Sequence, residues 1–437
     1  MSNQRAPRGI APTIASLFPD GLPLSLRAYD GSSAGPSDSP YGLELVRERG
    51  LSYIMTAPGD LGLARAYVAG DLVLHGAHPG DPYEAFSLLK DSTDFGVPGP
   101  LELINVVRSL GLSHLLPPAP PPQEHLPTWR HRLEGLRGLG VGLGLGRHSH
   151  ERDAEAIHHH YDVSNTFYEY VLGPSMTYTC AVFPDEGASL EEAQEHKYEL
   201  ISRKLDLKPG QRLLDLGCGW GGMVRHAAKH HGVKALGVTL SREQATWAQE
   251  EIKRQGLDHL AEVRHLDYRR IEEGDFDAIS SIGLTEHIGV DNYRPYFAFA
   301  HDKLKPGGRM LNHCITRHDN ISRSTGAFID RYVFPDGELA GSGTIVSAAE
   351  NAGLEVQHHE NFRLHYARTL AGWSRNLAEN WDACVAETDE GTARVWGLYM
   401  AGSRIAFERN EIQLHHVLAT KTVDGDSAYP LRHDFGV

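Results

Sequence analysis

One stretch constrains this chain more than any other: Leu214-Asp215-Leu216-Gly217-Cys218-Gly219-Trp220-Gly221-Gly222. A strand-like run enters a glycine turn, and the turn opens a helical segment. Glycine there lets the backbone come close to a ligand and adopt angles closed to other residues. The order Gly217-x-Gly219-x-Gly221 differs from the GxGxxG that introduces a dinucleotide, which also calls for an acid about 20 residues on. The second strand-like run ends in Gly237-Val238-Thr239-Leu240-Ser241 with Gln244 beyond, offering hydroxyls and an amide but no carboxylate, so a nicotinamide dinucleotide is the poorer fit. The third ends in Asp267-Tyr268, an acid and an aromatic suited to an adenine ring. Open α/β sheets bind ligands at this carboxyl edge.

Around the turn, strand-like runs at 211–217, 233–239, 261–267, 276–283, 309–315 and 412–421 alternate for the most part with helical segments. That alternation predicts a parallel, doubly wound α/β sheet, with the last run closing it. Ahead of it, residues to Leu116 mix short apolar runs with turn residues and read as a smaller N-terminal α+β domain. Pro117-Pro118-Ala119-Pro120-Pro121-Pro122 is a stiff spacer, since proline fits neither helix interior nor sheet. The expected organisation is therefore 1–116, a Pro/Gly-rich linker at 117–150, and the sheet domain at 151–437. Within the linker, Leu133 to Gly146 alternates glycine with leucine and valine between Arg130, Arg132, Arg137 and Arg147. It reads either as a plain connector or as a segment resting on anionic lipid.

Composition narrows the partners. The chain has 437 residues and 42 Lys+Arg against 57 Asp+Glu, a formal charge of −15, which argues against nonspecific nucleic-acid binding. Four scattered cysteines make no disulfide framework and fit a reducing cytoplasm. No run approaches the roughly 18 to 20 apolar residues of a membrane span. The triplet His158-His159-His160 lacks helical i, i+4 pairing and a partner cysteine or acid, so no metal is expected.

Several separate stretches, His160-Tyr161-Asp162-Val163-Ser164-Asn165, Met176-Thr177-Tyr178-Thr179-Cys180, the glycine turn, Glu286-His287-Ile288-Gly289, Arg331-Tyr332-Val333-Phe334-Pro335 and His365-Tyr366-Ala367-Arg368-Thr369-Leu370, together resemble the cyclopropane-fatty-acyl-phospholipid synthase family of S-adenosylmethionine methyltransferases. The resemblance covers about Ala154 to Thr420 and implies the Rossmann-like fold of class I methyltransferases. It implies that Tyr178, Thr179, Gly217, Gly219, Trp220, Thr239, Leu240, Gln244, Asp267 and Tyr268 contact S-adenosylmethionine. It further implies a bicarbonate base cradled by Cys180, Glu286, His313, Tyr366 and the backbone of Ile315. Such chemistry needs these groups. An alkene is a feeble nucleophile, methyl transfer to it leaves a carbocation, and something must stabilise that cation and take a proton. Each residue also has a plainer reading: Cys180 as a small buried hydrophobe, Glu286 as an acid at a helix N-terminus, His313 as a satisfied core histidine, Tyr366 as a packing ring.

Two departures bear on the product. Thr285 stands where the resembling synthases usually carry a bulky apolar residue before Glu-His, and the N-terminal domain resembles an actinobacterial branch, the 10-methylene-stearoyl phospholipid synthases of tuberculostearic acid formation. The resemblance therefore implies methylation of an oleoyl phospholipid chain at the cytoplasmic face of the membrane, with a separate reductase completing the 10-methyl product and self-association of the enzyme. The alternatives are cyclopropane synthesis and a non-catalytic lipid- or partner-binding module on the same fold.

Overall fold

A computed structural model describes residues 9–18, 20–91, 109–125, 163–321, 323–335 and 337–436. Arg130, Arg132, Arg137, Arg147, the Leu133–Gly146 segment and the His158–His160 triplet lie outside them.

The described chain forms two compact units. The first takes described residues of Met1–Gly135 together with Gly326–Val333 and Ser374–Ile405. The second takes those of Leu136–Thr325, Phe334–Trp373 and Ala406–Val437. Two segments from beyond residue 150 thus belong to the N-terminal unit, so compactness does not follow the order of the chain. In that unit β1 (Ser25–Ala28) pairs antiparallel with β2 (Ser33–Ala34) and parallel with β3 (Gly42–Leu45), and β4 (Leu72–His75) pairs antiparallel with β3. Leu26, Leu45, Leu51, Tyr53 and Leu72 fill its core.

The second unit is built on β5 (Arg212–Leu216), β6 (Lys234–Thr239), β7 (Ala261–His265), β8 (Phe276–Ile282), β9 (Leu304–Arg317), β12 (Glu355–Asn361) and β13 (Ile412–Thr420), in the order β12-β13-β9-β8-β5-β6-β7. The two-residue strands β10 (Arg323–Ser324) and β11 (Glu338–Leu339) pair with each other. From β7 to β9 neighbours are parallel, as helical crossovers require, and β13 runs antiparallel to both β9 and β12. Side chains alternate between two apolar layers: Leu213, Ala235 and Leu311 face one, and Leu214, Leu216, Val238 and Met310 the other. The order in which strands are added reverses at β5, which lies between β6 and β8, so the carboxyl ends of these parallel strands flank a switch point.

The sheet corrects one expectation. The run at 412–421 does not close it but lies inside, and the edge strand is β12, whose sequence EVQHHEN carries a single apolar residue and shows no apolar alternation. A polar strand survives there because an edge buries only part of its surface and gains from resisting further pairing.

Candidate active site

The glycine turn has the predicted geometry. Gly217, Gly219 and Gly221 take φ of 71, 53 and 71°. A Cβ built on Gly219 would meet nothing within 4 Å, so the turn leaves open space on that side. On the neighbouring strand a Cβ at Gly237 would lie 2.7 Å from Val224 and 2.8 Å from Cys218 Sγ, so that glycine serves packing. Thr239 Oγ1 donates to Gln244 Oε1 at 2.8 Å, and Ser241 caps the following helix through Gln244 N–H at 3.2 Å. Gln244 Nε2 is buried with no hydrogen-bond partner among the described residues. Leu240 offers its carbonyl to His265 Nε2 at 3.1 Å.

Three further expected cofactor residues make defined contacts within the protein. Trp220 is buried, its indole N–H donating to Asn165 Oδ1 at 2.9 Å and its ring 4.8 Å from Tyr168. Asp267 is paired with Arg269 at 2.7 Å and also accepts from the Arg269 backbone, so it caps the turn Tyr268–Arg270. Tyr268 packs edge-on against Phe299 and Tyr296, with centroids 5.4 and 5.7 Å away.

Beyond the turn the candidate catalytic residues come together through adjacent strands. Gly217 backs onto Leu284, to which a Cβ would come within 3.1 Å, and Glu286 follows two residues later on the short helix Thr285–Ile288 after β8. On the adjacent strand β9, Ile315 N–H donates to Glu286 Oε1 at 2.7 Å. Thr285 Oγ1 lies 3.5 Å from Glu286 Oε2. Burial pushes the Glu286 carboxyl up to about 7. In this conformation the Ile315 N–H is engaged by Glu286. His313, two residues before Ile315 and on the same face of β9, bonds through Nδ1 to His416 Nε2 at 2.8 Å. Its Nε2 is buried with no hydrogen-bond partner among the described residues. Burial, with Lys197 and Lys204 nearby, holds the His313 ring neutral.

Cys180 is fully buried, its Sγ donating to the Ala181 carbonyl at 3.1 Å, and burial raises its thiol so far that it stays protonated. It is no nucleophile. Its Sγ also lies 4.0 Å from the Phe362 carbonyl, which accepts from Tyr366 N–H at 3.2 Å. The Tyr366 ring packs on Phe407, centroids 4.5 Å apart, and faces Trp373 edge-on at 6.1 Å. Tyr178 lies 5.4 Å from Trp373 and 6.4 Å from Phe334, while Thr179 touches the end of β8, where a Cβ on Gly283 would meet its methyl at 3.1 Å.

Residues 148–417 match the family described as mycolic acid cyclopropane synthetase. The chain is also 62% identical over 413 residues, 94% of each chain, to a probable fatty acid methyltransferase of Mycobacterium tuberculosis. It belongs to the mycolic acid cyclopropane synthetase family. The cyclopropane-fatty-acyl-phospholipid synthase of Escherichia coli is 36% identical over 265 residues, covering 61% of this chain and 67% of that one. Among solved structures, the mycolic acid cyclopropane synthase CmaA1 complexed with SAH and CTAB superposes with a TM-score of 0.58 at 31% identity, over 61% of this chain and 97% of that one.

The family is one of S-adenosylmethionine-dependent methyltransferases with a Rossmann-like class I fold, and the residues fit such a donor: the open side of Gly219 and the unpartnered Gln244 amide lie at adjacent strand ends. Other buried polar groups of this family member were not singled out from sequence. Lys197 is fully buried and donates to Thr179 Oγ1 and Gln194 Oε1, each at 2.8 Å, and burial pushes its amine down to about 7. Burial likewise raises Asp215, bonded to Ser280 Oγ at 2.7 Å, to about 7. A signal existed: in the helix Leu190–Leu205, Lys197 and Lys204 fall at the helical spacing of Ala193, Leu200 and Ile201, on the face that must be buried.

Proposed function

We propose that this protein methylates the double bond of an unsaturated phospholipid acyl chain and releases it as a 10-methylene chain. One observation carries the reading: a carboxyl poised near neutrality, on the helix after β8, and an imidazole nitrogen with no hydrogen-bond partner among the described residues, on the adjacent strand β9, are both buried beyond the glycine turn. Methylation of an oxygen or nitrogen needs no such pair, because no carbocation forms. S-adenosylmethionine, when bound, supplies an electrophilic methyl on a positively charged sulfur. Gly219, Thr239 and Gln244 would hold it, and Tyr178, Trp373, Phe334 and Tyr366 supply ring surface that excludes water and favours a nearby cation. A bicarbonate would supply a base, held by His313 through Nε2 and oriented by Glu286. His313 and Glu286 fit that role.

The methyl adds to one alkene carbon and leaves a cation on its neighbour. A hydride shifts to that neighbour, the cation moves to the methyl-bearing carbon, and loss of a methyl proton forms the exocyclic C=C. Without the shift, ring closure with loss of a proton gives a cyclopropane. A barrier difference of about 1.4 kcal/mol selects one by tenfold. Thr285, a small hydroxyl residue 3.5 Å from Glu286, supports the first outcome by changing the surroundings of the cation from those of the bulkier synthases. The test is labelled S-adenosylmethionine and oleoyl phospholipid with the purified protein, read by mass spectrometry and proton NMR. Vinylidene protons are expected. Cyclopropyl protons alone would transfer the protein to the other reaction, and donor binding without label in lipid would favour a binding module. Saturation to a 10-methyl chain falls to a separate reductase.

A further inference from the structure

A line of buried polar groups runs behind His313. His416 joins it through Nε2 at 2.8 Å, Lys204 Nζ meets His416 Nδ1 at 3.1 Å, and Lys204 Nζ donates to Glu360 Oε2. His313, His416 and Lys204 are 1%, 0% and 0% exposed, whereas the Glu360 side chain is 42% exposed and reaches solvent. The line therefore has one wet end and one dry end, and the dry end is His313 Nε2.

Hydrogen-bond donors set a direction along it. An ammonium has donors and no acceptor, so its contact with His416 requires the lone pair of Nδ1. A neutral imidazole with Nδ1 accepting carries its proton on Nε2, and His416 accordingly donates to His313 Nδ1. The same step leaves the His313 proton on Nε2. Burial keeps both rings neutral, and the Glu360 carboxylate offsets the cost of burying the Lys204 charge. Other groups face the ammonium as well. The Phe362 and Phe435 rings lie 5.0 and 5.5 Å from Nζ, His358 stands two residues from Glu360 on β12, and Arg309 donates to the Lys204 carbonyl at 3.2 Å. Lys197 is the further cation felt by both imidazoles.

We propose that Lys204 and His416 are positioning residues that lock His313 in its Nε2–H form, so that it presents a hydrogen-bond donor to the anionic base of the methylation site. This rests on the function proposed above. A ring in the opposite tautomer would aim a lone pair at that anion and repel it. Losing the Lys204 proton turns the amine into an acceptor and permits both rings to invert, so the donor is lost as pH rises.

The test uses the full chain labelled with 15N-histidine, with two-bond proton–nitrogen spectra reporting each tautomer and His313→Gln and His416→Gln assigning the signals. Nε2–H is expected for both rings in the parent protein. In Lys204→Met the Nδ1–H form appears, with kcat lower by about tenfold or more and S-adenosylmethionine affinity by calorimetry unchanged. In Glu360→Gln, whose side chain is partly exposed and whose loss should leave folding intact, inversion occurs at lower pH than in the parent. Nδ1–H on His313 in the parent protein, or unaltered tautomers in Lys204→Met, would overturn the proposal. Should Lys204→Met fail to fold, an unmoved inversion pH in Glu360→Gln overturns it instead. The spectra require no turnover, so the expected tautomers in a protein that methylates no lipid would remove the functional reading and leave the positioning role standing.

Discussion

Glu286 holds its carboxyl near pH 7 because burial penalises its charge more than the Ile315 amide rewards it. A group oriented to accept a hydrogen bond from a base must be ionised, so kcat/KM should rise through a limb near pH 7. Glu286→Gln should remove that limb and lower turnover about 100-fold or more, while calorimetry shows S-adenosylmethionine binding intact. Stability moves the other way. The folded carboxyl binds its proton more tightly than the unfolded one, so its contribution is full below about pH 4.5 and fades as pH climbs to about 7. Urea midpoints of Glu286→Gln should lack this component of the decline. Of these single residues, Glu286 stood out in sequence within the local motif Glu286-His287-Ile288-Gly289, whereas His313 lies outside every such motif and was implied only by the family resemblance. The Glu286 bond to Ile315 was not legible, since it joins residues 29 apart, one on the helix after β8 and the other on β9.

At the scale of elements, the glycine turn separates two kinds of glycine that look alike in sequence. Gly219→Ala places its methyl in open space, so only its φ of 53° is strained. It should cost about 1 to 2 kcal/mol in stability and weaken S-adenosylmethionine binding measurably by calorimetry. Gly237→Ala drives a methyl into Cys218 and Val224, and should lower the thermal midpoint by overpacking worth about 1 to 3 kcal/mol. The strands β5 to β9 were readable because apolar residues alternate with turns at a fixed spacing. β12 was not, because it borrows its place from pairing with β13 and carries polar residues that obey no period. Asp267 adds a local detail that strand period does not show: Arg269, two residues away, pairs with it.

Across the whole molecule, a net charge of −15 would repel anionic lipid on average, so docking on such a surface would call for local basic groups. We propose that Arg130, Arg132, Arg137 and Arg147 supply that contact. Replacing all four with glutamine should reduce sedimentation with anionic vesicles, and unchanged sedimentation would remove the arginines from the account. Among the described residues no helix is long and apolar enough to cross a membrane. In the N-terminal unit the buried Glu124 accepts from Arg65 Nε and Nη2 at 2.6 Å each and from Arg331 Nη1 at 3.1 Å. Glu124→Ala strands both arginines and should cost about 3 to 5 kcal/mol, read as a lower denaturation midpoint.

That cluster shows where reading along the chain stops. Strand period, glycine turn and family motifs are short-range patterns, and residue order alone was enough to specify the α/β sheet and its glycine turn, and to nominate candidate acids and rings. Folding decided the rest: that residues 326–333 and 374–405 join the N-terminal unit, and that His313, His416, Lys204 and Glu360 form one line. His313 and His416 stand 103 residues apart and Lys204 and Glu360 stand 156 apart. Pairings over such distances depend on which strands become neighbours, and no local pattern in the chain encodes that.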